Sequence, residues 1–124
     1  MQIRKMTEGK AFQMGKGDTR NVYGPHNGAK HLTFNYAKFE PGVAFSPHTH
    51  EHSEDLILVL DGDGQIRIGD KRVPIEKDDV ILVSEGEFHG TIAGPSGLTV
   101  VSVQAPPDVK LFDGSKDKAP AAQE

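Results

Sequence analysis

Gly42-Val43-Ala44-Phe45-Ser46-Pro47-His48-Thr49-His50-Glu51-His52-Ser53-Glu54-Asp55 is the stretch on which the reading of this chain turns. Histidines two apart share one face of a β-strand, whose side chains alternate; on a helix the same spacing sends them to roughly opposite sides. On a strand the Cα atoms of His48 and His50 stand about 6.6 Å apart, at a rise of about 3.3 Å per residue. Two imidazoles over that span can share a cation at the roughly 2.1 Å of a zinc–nitrogen bond. An acidic pair, Glu54-Asp55, follows closely. The stretch predicts a metal site carried on strands.

Outward from it, the apolar pattern is β throughout. Strands are predicted over residues 32–39, 45–50, 55–60, 65–68, 72–75, 80–83, 89–93 and 98–104. Asp61-Gly62-Asp63-Gly64, Gly69-Asp70, Ser84-Glu85-Gly86-Glu87 and Gly94-Pro95-Ser96-Gly97 read as the turns between them. Gly69-Asp70 fits a two-residue hairpin, with glycine supplying the positive φ. No segment holds a helical period over about ten residues. Short strands at close spacing indicate an all-β sandwich or barrel.

Leu56-Ile57-Leu58-Val59-Leu60 and Val80-Ile81-Leu82-Val83 are apolar on both faces. Such strands usually lie in parallel sheets covered by helices, but the connections here are too short for crossover helices. A partner subunit, the chain's own N-terminal arm, or both must cover the second face, and a homodimer is expected.

The 124 residues suit one domain, expected over 1–112, with the small, charged and proline-containing segment 113–124 as a disordered tail. A net charge of −4 without a basic block argues against nucleic acid and anionic membranes as partners. The absence of cysteine removes disulfides and thiolate ligands. A metal must be held by imidazole, carboxylate or water, which suits Fe, Mn, Ni, Co, Cu or Zn. Residues 1–8 lack the apolar run of a signal peptide and no stretch is long enough to span a bilayer, so a cytoplasmic location is expected.

The order Gly42, five residues, His48, Thr49, His50, four residues, Asp55, six residues, Gly62 resembles the first motif of the cupin superfamily. That motif has Glu where Asp55 falls; Glu54 takes the shorter of its two spacings. A second cupin-like motif runs Asp78, five residues, Ser84, Glu85, Gly86, two residues, His89, three residues, Ala93. Gly86 and His89 match it, whereas Asp78, Ser84 and Ala93 stand in place of the family's Gly, Pro and Asn. The resemblance covers about residues 32–105. It implies a small single-domain conserved barrel: an antiparallel double-stranded β-helix, or jelly roll, with one divalent transition metal in its mouth. His48, His50, His89 and Asp55 would be the ligands, with Glu54 the alternative to Asp55. By the same resemblance, residues 3–14 would exchange between protomers of a dimer.

Asp for Glu removes a methylene, so the carboxylate must shift, yield to Glu54, or orient a histidine instead of binding the metal. Glu54 and Asp55 are also the candidate acid/base groups. His52 keeps strand parity with the pair and reads as a rim residue; His26 and His31 read as exposed. Among the aromatic residues flanking the first motif, Phe45 and Tyr36 are candidates to line a pocket, with His52 beside them as a third substrate contact. The expected function is a metal-dependent enzyme acting on an oxygen-rich small molecule (keto acid, sugar acid, enol or phenolic), as a dioxygenase-like oxidoreductase or an isomerase or lyase. The alternative is a metal-containing binding or sensor barrel without turnover. Fold and metal do not choose between them.

Overall fold

Two strands far longer than the apolar runs suggest organise this chain. In the computed structural model, which describes residues 1–12, 17–45 and 47–108, seven strands form one antiparallel sheet. They are β1 (Lys10–Ala11), β2 (Gly17–Tyr23), β3 (Thr33–Phe39), β4 (Glu54–Ile68), β5 (Lys71–Glu76), β6 (Val80–Val83) and β7 (His89–Ala105). The order is β1-β2-β3-β7-β4-β5, with β6 also paired to β4. The all-β antiparallel class expected from the sequence is what the chain adopts. The tail at 113–124 lies outside the described residues.

Two of the turns expected from the sequence are bends inside continuous strands. Gly62 pairs with Leu98 and Gly64 with Ala93, so Gly94-Pro95-Ser96-Gly97 bulges out opposite the single residue Asp63. Backbones meet at this corner. A Cβ on Gly64 would lie 2.1 Å from the Ile92 carbonyl oxygen, and one on Gly62 2.1 Å from that of Gly97. Glycine is required there because any side chain would sit inside the neighbouring strand. Gly69-Asp70 does form the β4–β5 hairpin, with Ile68 paired to Lys71 and φ 57° at Gly69. Asp78, where the cupin motif carries glycine, keeps the left-handed backbone with φ 76°.

Among the described residues of the predicted strand at 45–50 none belongs to a ladder; the isolated bridges Ala44–Ile92 and His48–His89 tie this segment to β7. Strand β2 was not expected. Its sequence, Gly17-Asp18-Thr19-Arg20-Asn21-Val22-Tyr23, has little apolar character because the side chains it buries include Thr19 and Asn21.

Ile57 and Val59 of β4 bury their side chains with Ile66, Val83, Leu98 and Val100, each contributing roughly 1.5–3 kcal/mol of burial. The opposite face of β4 and β6 stays open: Val80 and Leu82 are each 60% exposed, and Leu56 pairs with Leu82 beside them. The described residues of the N-terminal arm lie elsewhere. Its β1 pairs with β2, Lys10 to Asn21, at the far end of the strand order.

Candidate metal centre

His48 and His89 are neighbours by backbone pairing. The His48 N–H donates to the His89 carbonyl at 2.8 Å and the His89 N–H to the His48 carbonyl at 2.9 Å. Residues that exchange both bonds stand directly opposite with side chains on one face, and the ring centroids are 4.6 Å apart. His50 is fixed by its carbonyl, which accepts from the Gly86 N–H at 2.9 Å. Gly86, at φ 73°, makes the turn that delivers β7 to the site. Asp55 enters from β4, opposite Gln104 of β7 and Val83 of β6.

His48, His50 and His89 form one cluster, and Asp55 meets it at His50 and His89. His48 Nε2 and His50 Nε2 are 3.1 Å apart. Asp55 Oδ2 lies 3.2 Å from His89 Nε2 and 3.4 Å from His50 Nε2. The three histidines each offer a ligand atom, all within 4.8 Å of one another. The other ring nitrogens face acceptors: His89 Nδ1 is 2.8 Å from the Glu87 carbonyl, and His50 Nδ1 is 2.7 Å from Asp108 Oδ2. A carbonyl or carboxylate can only accept, so Nδ1 carries a proton in both rings, and Nε2, which faces Asp55, is the nitrogen left to bind either a second proton or a metal ion. Ring nitrogens and a carboxylate gathered in a buried cluster call for a cation, a proton or a metal ion. Donors about 2.1 Å from one metal ion stand roughly 3.0–3.4 Å from each other in octahedral or tetrahedral arrangement. The spacings fit.

The same deficit of positive charge shows in the acid–base chemistry. Burial opposes a charge on His50, but hydrogen bonds to Asp108 and Asp55 and the charges of both acids outweigh it and raise its pKa. Burial likewise opposes ionisation of Asp55; hydrogen bonds from His50, His89 and Ser102, with the charge on His50, nevertheless hold its pKa well below the usual carboxylate range. Asp55 Oδ1 accepts from Ser102 Oγ at 2.5 Å and Gln104 Nε2 at 3.4 Å. These bonds turn Oδ2 toward the ring nitrogens despite the shorter side chain.

Behind Asp55 a row of buried polar side chains crosses the inside of three strands. Thr33 Oγ1 and Asn35 Nδ2 donate to Gln104 Oε1, and Asn21 Nδ2 donates to Asn35 Oδ1 at 2.9 Å. A pocket opens between the donor cluster and this row on one side and apolar residues on the other: Phe12, Ala37, Phe39, Phe45, Ile57 and Val100. The Phe45 ring lies 4.7 Å from the His48 ring.

The other expected site residues fall elsewhere. Glu54 is exposed, because its neighbour Asp55 takes the inward position and strand side chains alternate. Tyr36 alternates outward between Asn35 and Ala37 and does not line the pocket. The His52 side chain is 86% exposed beside Glu51. His26 and His31 are exposed, as expected. Sequence reasoning missed Ser102, Gln104 and Asp108. The alternation Val101-Ser102-Val103-Gln104 ordinarily means polar outward, but here the polar face points in. Asp108, beyond Pro106-Pro107, gave no signal.

The chain is similar to several known proteins. The chain is 26% identical over 74 residues to the tetracenomycin polyketide synthase protein TcmJ of Streptomyces glaucescens, covering 59% of this chain and 50% of that protein. It is 31% identical over 80 residues to the oxalate-binding protein of Thermotoga maritima, covering 60% and 64% respectively. The chain thus spans half to under two thirds of the length of these curated relatives. The polyketide cyclase RemF of Streptomyces resistomycificus superposes with a TM-score of 0.72 at 25% identity, over 86% of this chain and 79% of that one. The family model for the cupin domain matches residues 35–103. With the folded-over antiparallel strands and the histidine cluster, that match places the chain in the cupin family.

Proposed function

We propose that this cupin is a metal-dependent enzyme for an oxygen-rich small molecule, holding one divalent transition metal through His48, His50, His89 and Asp55. The observation that carries the reading is the clustering of the three histidines, with His48 Nε2 3.1 Å from His50 Nε2 and Asp55 Oδ2 within 3.4 Å of His50 and His89. A bound metal would supply Lewis acidity toward substrate oxygens, or a site for O₂ beside them. The chain's own groups prepare that chemistry. Asp108 and the Glu87 carbonyl set the tautomers of His50 and His89, Ser102 and Gln104 keep Asp55 anionic and oriented, and the phenylalanine wall excludes water.

A specific observation favours the second reading, binding without turnover. Among the described residues lining the pocket, none outside the donor cluster is an acid, lysine or tyrosine able to move a proton. Glu54 is on the outside, and both Asp55 oxygens are engaged. The names of the relatives span both readings, one a cyclase and one an oxalate binder.

We further propose that the open face bearing Leu56, Val80 and Leu82 pairs with a second copy, since exposed apolar patches of this kind mark association surfaces. Anaerobic purification with elemental analysis tests the metal. Near-stoichiometric metal that is lost in His50→Ala supports it; failure to load any of several divalent metals refutes it. A panel of keto acids, sugar acids and phenolics, with and without O₂, then separates enzyme from binder.

A further inference from the structure

The charges around the pocket narrow the ligand further, an inference that rests on the metal reading above. Two carboxylates stand at the centre: Asp55 beside the ring nitrogens and Asp108 behind His50. Together they already balance a divalent ion. No described residue lining the pocket is a lysine or arginine. The uncharged polar row cannot make up for this, because its amides and hydroxyls largely bond one another: Gln104 Nε2 serves Asp55 and Ser102, and Gln104 Oε1 takes Thr33 and Asn35. Each further negative charge on a ligand would be buried without a cationic partner among the described lining residues, which is costly in an apolar setting. The opposite wall offers Phe39 and Phe45, with centroids 5.9 Å apart, to an apolar or aromatic body.

We propose that the site takes a compact oxygen chelator that carries at most one negative charge on an apolar or aromatic frame, and rejects small dianions. The enolate of a 1,3-dicarbonyl, an α-hydroxy-enone, or a phenol beside a carbonyl belongs to this class.

Tropolone, a singly charged chelator on a seven-membered aromatic ring, and oxalate, a dianion, serve as probes. Each is titrated into the cobalt(II)-loaded full-length protein, with the visible cobalt bands as readout and gel filtration confirming that cobalt stays bound. The expected result is a preference for tropolone over oxalate at least ten-fold larger than that of aqueous cobalt(II). Phe45→Ala should erode that preference. Phe12→Arg adds a cation to the lining, while the backbone pairing of Phe12 with Thr19 survives, and should improve oxalate binding at least ten-fold. If the cobalt bands form but oxalate is preferred as strongly as in water, or tropolone strips the metal without a ternary spectrum, the ligand class is overturned while the metal reading stands. If no cobalt bands form, the metal reading fails and takes this inference with it.

Discussion

Asp55 and His89 stand at opposite ends of one ladder, yet their Oδ2 and Nε2 atoms are 3.2 Å apart. Asp55 pairs with Gln104 at one end of the β4–β7 ladder, and His89 pairs with Ile68 at the other. Straight strands would hold those ends roughly 40 Å apart at about 3.3 Å per residue. The corner at Gly62, Gly64 and the 94–97 bulge folds the ladder onto itself and closes the site.

Gly64→Ala therefore tests the corner. Its new methyl would collide with the Ile92 backbone, and we expect a loss of roughly 2–3 kcal/mol in denaturant titration, with weaker metal binding although Gly64 does not line the pocket. Gly69→Ala, where a Cβ meets nothing within 4 Å, should be milder. Equal, small effects would mean the corner is not what closes the site.

Asp55→Asn should weaken metal binding far more than Glu54→Gln. The first removes a buried anion held by Ser102 and Gln104; the second alters an exposed side chain. Competition with a chromogenic chelator ranks the two, and the reverse order would move the carboxylate role to Glu54.

Asp108→Asn and Asp108→Ala should each reduce metal affinity by about 10–100-fold, the usual effect of removing a carboxylate that orients a ligating histidine. Wild-type affinity in both variants would show that His50 is oriented without Asp108.

The pH dependence has two limbs in metal-free protein. The raised pKa of His50 contributes stability that is complete below about 6.5 and is lost as pH rises through the folded value. The lowered pKa of Asp55 contributes stability that is present above about 3.9 and is lost as pH falls through its folded value. Thermal melts in EDTA should show the largest contribution of this pair between those limits. With zinc, the optimum should move to higher pH, because protons compete with the metal for His50. An unchanged optimum would separate His50 from metal binding.

Leu82→Glu should convert a dimer to a monomer in light scattering at low micromolar concentration. Its basis is the open face with Val80 and Leu82 each 60% exposed. A wild-type chain that stays monomeric on concentration would refute the dimer.

The histidine spacing announced the donor cluster, and the hairpin at Gly69-Asp70 was legible from turn chemistry alone. What the sequence hid has common physical causes. Glycine-rich runs at 61–64 and 94–97 look the same whether a chain reverses or merely bends, because both need backbone without side chains. Polar side chains alternating with valine at Ser102 and Gln104 look like a solvent face until the buried row they bond is seen. The His48 segment looks like a strand but is held by isolated bridges, which no local pattern specifies.

The folded-over ladder also has a consequence in time. Its closing contacts join residues far apart in the chain: 34 positions for Asp55 and His89, 58 for His50 and Asp108, 71 for Thr33 and Gln104. Such contacts require long loops to be ordered first, which makes them slow to form. The ion would arrive last, captured by a barrel already built, so in stopped-flow refolding with zinc the far-UV circular dichroism signal should run ahead of metal uptake. Uptake that kept pace with strand formation would instead make the metal a template for the corner.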